Sequence, residues 1–111
     1  MNNINIHFDF DEESDILYIS LGTNEPSYCE EIDDILLVER GYFSHQITGF
    51  QIMDIRRHGI HAVQIETFIK KAVKKEREEL KNYFENRTQL PAIIRKNLTR
   101  DKRIRNLLQN A

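Results

Sequence analysis

Ile4, Ile6, Phe8 and Phe10 occupy every second position. This is the period of a half-buried β-strand, whose successive side chains point to opposite faces. The polar run Asp11-Glu12-Glu13-Ser14-Asp15 breaks the alternation with turn-forming residues. Ile16 to Leu21 predicts a second strand, with Leu17, Ile19 and Leu21 on one face and Tyr18 on the other. Gly22-Thr23-Asn24-Glu25-Pro26-Ser27 carries every loop signal. Tyr28 to Glu31 begins a third strand, and Ile35-Leu36-Leu37-Val38 is its apolar body. Gly41 opens a turn, and Ile47 to Ile55 alternates again, with Phe50, Ile52 and Met53 expected inside. Four strands joined by short loops predict an antiparallel β-meander.

Beyond Ala62 the period changes from two to between three and four. Ile65, Phe68, Ile69, Ala72, Val73, Leu80, Tyr83 and Phe84 form one stripe of a long amphipathic helix over about 61–86. Its other face is charged, and Glu66–Lys70 and Lys74–Glu78 stand at the four-residue spacing of helix-stabilising pairs. Pro91 ends or restarts the helix, because proline fits only the first turn. Thr88 is a candidate N-cap for a short helix holding Ile93, Ile94 and Leu98. Thr99 is the candidate cap of a last helix holding Ile104, Leu107 and Leu108. Both are too short to stand alone in water, so they must pack on the sheet, on the long helix or on another chain. The fold class expected is α+β, a single domain over 1–111 with a meander over 1–60 and a helical extension over 61–111.

Composition changes this picture in one respect. The net charge is −2, but it is unevenly spread. Residues 1–60 hold three Arg and twelve Asp or Glu, so 3 − 12 = −9. Residues 61–111 hold thirteen Lys or Arg and six Asp or Glu, so 13 − 6 = +7. Such asymmetry marks a nucleic-acid or charged-partner surface, or one half covering the other. The single cysteine, Cys29, rules out an intramolecular disulfide scaffold. No apolar run approaches the ~20 residues of a membrane span, and no signal peptide is visible, so a cytoplasmic location without membrane attachment is expected.

The stretch Phe10-Asp11-Glu12-Glu13-Ser14-Asp15-Ile16-Leu17-Tyr18-Ile19-Ser20-Leu21 resembles the opening of the bacterial DUF2283 family. There an aromatic–Asp pair and a short acidic turn precede Asp-x-Leu-Tyr-Ile-x-Leu. The similarity continues through Glu30-Glu31-Ile32, Ile35 to Val38 and Ile47-Thr48-Gly49-Phe50-Gln51-Ile52, and so covers roughly residues 6–57. Two departures stand out. The turn Gly41-Tyr42-Phe43-Ser44-His45 lacks the family's carboxylate, and Gln51 replaces its usual Glu. The basic helical extension lies outside the family pattern. The family's function is unknown, and its members often stand beside small RelE-like proteins, so the resemblance implies an antitoxin-like role.

Candidate chemistry is sparse. The acidic cluster from Asp9 to Asp15 fails the calcium-loop pattern, because positions six and twelve hold Ser14 and Ser20 rather than Gly and Glu. His58, His61 and Asp54 could supply part of a metal site at the strand-to-helix junction, with His45 near in sequence. Cys29 is flanked by Glu30 and Glu31, which oppose a reactive thiolate and suggest an inert or half-buried thiol. No nucleophile elbow, phosphate loop or dinucleotide motif is present. The expectation is therefore a non-catalytic protein-binding or assembly module without a cofactor. Its C-terminal helices would serve assembly, most often as a homodimer, and the acidic sheet half would face a small basic partner protein. The candidate partner-binding residues are Lys74, Lys81, Arg95, Lys96, Arg100, Lys102, Arg103 and Arg105. The alternatives are nucleic-acid binding by the same basic helices and a small metal-dependent enzyme using the His58 and His61 region.

Overall fold

The computed structural model describes residues 6–23, 25–79 and 89–109. The chain is an α+β protein. Strands β1 (His7–Asp11), β2 (Ile16–Ser20), β3 (Ser27–Glu31), β4 (Leu36–Gly41) and β5 (Ile47–Met53) form one antiparallel sheet. Helices α1 (Ala62–Glu79), α2 (Leu90–Arg100) and α3 (Lys102–Gln109) follow it.

The expected third strand is two strands. Asp33 causes the break: its carboxylate accepts from the Ile35 N–H at 2.8 Å and the Leu36 N–H at 2.9 Å. Such an Asx turn reverses the chain, and the Ile32 N–H closes it on the Leu36 carbonyl at 2.9 Å. The sheet therefore has five strands where four were expected. Nor is it a meander, because its order is β1-β2-β5-β4-β3. β3, β4 and β5 are consecutive hairpins, and β2 returns beside β5 through the loop 21–26, which makes a Greek key of β2 to β5.

β5 is thus the central strand, and its sequence shows why it tolerates that position. Gly49 passes so close to β2 that a Cβ there would stand 2.7 Å from the Ile19 carbonyl oxygen. Thr48 is an extra residue: Glu39 faces Gly49 while Arg40 faces Ile47. This β-bulge breaks the two-residue period, so Ile47, Phe50 and Ile52 all reach the core. Met53, expected inside, stays half-exposed on the opposite face, in register with Ile16.

One face of the sheet carries Leu17, Ile19, Leu36, Val38, Phe50 and Ile52, each fully buried. The helices cover that face. α1 contributes Ile65, Ile69, Ala72 and Val73, α2 contributes Leu90, Ile94 and Leu98, and α3 contributes Ile104 and Leu108, all in the same cluster. Burying one such aliphatic side chain is worth about 1.5–3 kcal/mol, which the short helices need to be helical at all. The C-terminal helices therefore fold back on their own chain. Among the described residues, Ile94, Leu98, Ile104 and Leu108 of their apolar stripes are buried inside the molecule, while Ile93 and Leu107 stay half-exposed.

Local sequence sets the helix ends. The Gln64 side chain accepts the His61 N–H at 2.7 Å, half of a capping box for α1. Pro91 lies in the first turn of α2. Asp101, not Thr99, caps α3: its Oδ1 accepts from Arg103 N–H at 3.1 Å and Ile104 N–H at 3.2 Å. The Thr99 hydroxyl instead donates to the Lys96 carbonyl at 2.9 Å. Ile4, Leu80, Lys81, Tyr83, Phe84, the helix end near Asn86 and the Thr88 cap lie outside the described residues.

Helix and sheet are also joined by a buried charge. Glu76 of α1 is fully buried, and its carboxylate accepts the Ile47 N–H at 2.5 Å. Beside it, Arg40 is 3% exposed and bonds the Glu30 carboxylate at 3.3 Å and the His45 carbonyl at 3.0 Å. Lys75 reaches the same Glu30 at 3.6 Å. Glu76→Ala removes the buried acceptor of the Ile47 N–H, and loss of that hydrogen bond costs about 1–3 kcal/mol. Urea denaturation should show this variant losing at least that much, and Glu76→Gln, which keeps an acceptor oxygen, losing less. Equal stability of Glu76→Ala and the wild type would refute the role.

Candidate functional site

The helices cover one face of the sheet, and the other is composed quite differently. The register sets Asp9 opposite Tyr18, Tyr18 opposite Gln51, Gln51 opposite Leu37 and Leu37 opposite Glu31. This row crosses all five strands and ends on a carboxylate at each edge. A second row runs from Asp11 through Ile16 to Met53. A third runs from His7 through Ser20, Gly49 and Glu39 to Cys29. Asp9, Asp11 and Glu31 are exposed, while Ile16, Tyr18, Leu37, Met53 and Glu39 are half-exposed. No strand position on this face is Lys or Arg. The result is a centre of Ile16, Tyr18, Leu37 and Met53 around Gln51, with carboxylates toward the edges. Cys29 lies here exposed rather than half-buried, and its sulfur accepts from the Gln51 amide at 3.4 Å.

The end of the sheet presents a second feature. Tyr42 is 57% and Phe43 79% exposed at the β4–β5 turn. This turn has no acid of its own, but Glu25 from the β2–β3 loop supplies one. Glu25 Oε1 accepts from the Phe43 and Ser44 N–H groups, each at 3.1 Å. Its carboxylate fills the space over Gly41, where a Cβ would collide with Oε1. The Ser44 N–H, and then the Ser44 hydroxyl and Phe43 N–H, hold the Glu25 carboxyl below its usual range against a smaller effect of burial. The Tyr28 and Tyr42 rings meet at 5.2 Å and fix the base of the turn.

Asp15 plays a comparable part at the other end of β5. It adopts φ 58°, a left-handed conformation that Asp tolerates better than most residues. Its carboxylate accepts from Arg56 N–H at 3.0 Å and Arg57 N–H at 3.0 Å, across the sheet rather than within its own turn. Asp11 does bond locally, to the Glu13 and Ser14 N–H groups at 3.1 and 3.4 Å. The Ser14 hydroxyl first, and then the Ser14 and Glu13 N–H groups, hold the Asp11 carboxyl below its usual range against burial. Both acids of the motif are turn residues, and Asp15 works over the longer reach.

The basic residues occupy the outer surface of the helical layer. Lys74, Lys96, Arg100, Lys102, Arg103 and Arg105 are all exposed there. Arg95 is also exposed, but it is committed to Glu66 at 3.0 Å, a carboxylate it shares with Lys70 at 3.9 Å. Two clefts flank α3. One, of about 280 Å³, lies among His61, Ala62, Val63, Leu98 and Arg105. The other, of about 350 Å³, lies among Phe10, Glu12, Arg56, Arg103 and Asn106. Arg56 sits 5.2 Å over the Phe10 ring there, a cation–π contact the strand pattern gives no hint of.

The histidines do not converge. His58 approaches Asp54 at 3.8 Å, whereas His61 faces the first cleft beside α3. His45 lies in the β4–β5 turn at φ 60°. Among the described residues no three His, Cys, Asp or Glu side chains gather where a metal ion could be held. No described helix is long and apolar enough to cross a membrane. No protein-family model matches the chain, and no curated protein or solved structure shows significant similarity to it.

The Glu25 contact has a pH signature. Because its folded pKa is depressed, the stability it adds is complete above the ordinary carboxylate range and fades as pH falls through the folded value. The melting-temperature gap between wild type and Glu25→Gln should therefore be widest near neutral pH and close in acid. A gap independent of pH would show that the charge of Glu25 contributes nothing.

Proposed function

We propose that this chain is a non-catalytic protein-binding module whose open sheet face receives a basic protein surface. The observation that carries the reading is the row from Asp9 through Tyr18, Gln51 and Leu37 to Glu31. It combines a largely apolar centre with a one-signed rim and no cation among its strand positions. Binding surfaces are built in this way, with apolar contact in the middle and charge at the edge that sets partner choice and on-rate. Phe43, exposed yet tethered through its own N–H to Glu25, supplies an aromatic anchor at the end of the sheet.

The rim argues against two copies pairing through this face. A two-fold contact sets the same patch against itself, so Asp9, Asp11, Glu31 and Glu39 would meet like charge. A basic partner meets no such penalty. The resemblance of residues 6–57 to DUF2283, with its implied antitoxin-like role beside a small RelE-like protein, agrees with that choice.

Affinity capture from native cells tests the reading. The wild-type chain should retain a basic protein that is released by salt, and the purified pair should form a complex of defined mass. The exposed substitutions Asp9→Lys and Glu31→Lys together should slow association by about tenfold or more at low salt. Phe43→Ala should raise the off-rate instead. Undiminished binding by the charge-reversed variant, or no stable protein partner at all, would sink the proposal.

A further inference from the structure

The opposite side of the molecule points to a second class of partner. α2 and α3 are joined through the single residue Asp101, and their outward positions include Lys96, Arg100, Lys102, Arg103 and Arg105. None of these five makes an ion pair with a described residue. Residues 90–109 carry six Lys or Arg against Asp101 alone, so 6 − 1 = +5. Asp101 is itself turned onto the first N–H groups of α3, where it completes a cap rather than neutralising a neighbour.

Two features decide what this surface fits. The first is what it lacks. Among the described residues the exposed large apolar side chains are Tyr42, Phe43 and Val63, and only Val63 belongs to the helical layer. A protein partner needs an apolar centre to bury, and a single-stranded nucleic acid needs exposed rings on which to stack bases. α2 and α3 carry no aromatic ring, and the apolar lining of the first cleft (Ala62, Val63, Leu98 and Leu108) is recessed between basic groups, whereas a phosphate backbone is held by charge and polar donors alone. The second feature is how far the cations extend. Each cleft beside α3 pairs a basic side chain of the helix with one from the turn before α1: Arg105 with His61, and Arg103 with Arg56. Glu12 is the one carboxylate lining either cleft. The amide of Asn106 lies in the second cleft beside Arg103 and adds a neutral donor. Basic groups thus stand on both flanks of an eight-residue helix that is about 12 Å long at 1.5 Å per residue.

We propose that the α2–α3 surface binds the phosphate backbone of double-stranded nucleic acid without reading its sequence. The acidic sheet face lies on the far side of the helical layer. Repulsion from a polyanion therefore orients the molecule with that face outward and free.

The test uses the full chain and a fluorescent DNA duplex of about 20 base pairs, followed by anisotropy between about 50 and 200 mM salt. The expected result is binding at low salt that weakens linearly in a log–log plot, with a slope of about −0.9 for each phosphate neutralised. Arg100→Ala, Lys102→Ala, Arg103→Ala and Arg105→Ala combined should flatten that slope and cut low-salt affinity at least tenfold. An unchanged circular-dichroism spectrum would show that these exposed changes leave the fold intact. Asp9→Lys with Glu31→Lys should leave the slope unchanged, which separates this surface from the protein-binding face. Scrambling the duplex sequence should change nothing. Four results would each overturn the proposal: no anisotropy change at 50 mM salt, an unaltered slope in the quadruple variant, tighter binding of a single strand than of the duplex, or equal affinity for poly-glutamate.

Discussion

Everything in this fold depends on holding β5 in the middle of the sheet. It pairs with β2 on one side and β4 on the other, so the register of each half of the sheet is referred to it. A strand buried on both edges and bulged at Thr48 has few ways to correct a slip, because a one-residue shift reverses which side chains face the core. The chain fixes β5 at both ends with carboxylates from elsewhere. Glu76 of α1 takes the Ile47 N–H at its start, and Asp15 of the β1–β2 turn takes the N–H groups of Arg56 and Arg57 just past its end. Acceptors that distant in sequence bond only when hairpin, central strand and helix are all in place. The register is therefore checked by tertiary structure and not by the hairpin turns alone.

The same device recurs at the β4–β5 turn, where Glu25 holds Phe43 and Ser44. Three carboxylates thus do work that turn sequences do locally in simpler sheets. Two of them, Asp15 and Glu25, belong to the first half and, with Asp11 and Asp33 in their own turns, account for part of its acidic excess without reference to any partner. Among the acids left over whose side chains bond no backbone, Asp9, Glu31 and Glu39 stand on the open face. Sorting the acids in this way identifies the face on which their charge is free to act outward.

Much of this was legible in the residues, and the failures have identifiable causes. The two-residue period located the buried faces of β2 and β5, and the three-to-four-residue period located the core stripes of α1, α2 and α3. What failed was longer in range. Ile32 to Ile35 hides a reversal inside an apolar-looking run, because one Asp side chain makes the turn. Strand order could not be read, because β2 and β5 are brought together by a loop that itself carries no pairing signal. Met53 follows Ile52 by a single position, so the strand period itself turns it to the opposite face. The candidate surface was half legible. The cations of α2 and α3 were plain from helical spacing, but Arg56 joins them only through folding, and the acidic row exists only once five strands are set side by side.

The division of charge along the chain becomes a division between layers. The acidic half forms a sheet and the basic half forms the layer packed on it, joined by apolar contact and by the Lys75–Glu30 pair at 3.6 Å. A sheet and the layer packed on it stand about 10 Å apart, and outward side chains add to the distance between their solvent faces. The Debye length at physiological salt is about 8 Å. Charges on the two outer faces are therefore screened from each other through solvent, and a partner approaching either side meets the sign of that side alone. The net charge of −2 describes neither surface. Two opposed preferences can then coexist in so small a molecule, because the apolar core that stabilises the fold is also the spacer that keeps its two electrostatic faces apart.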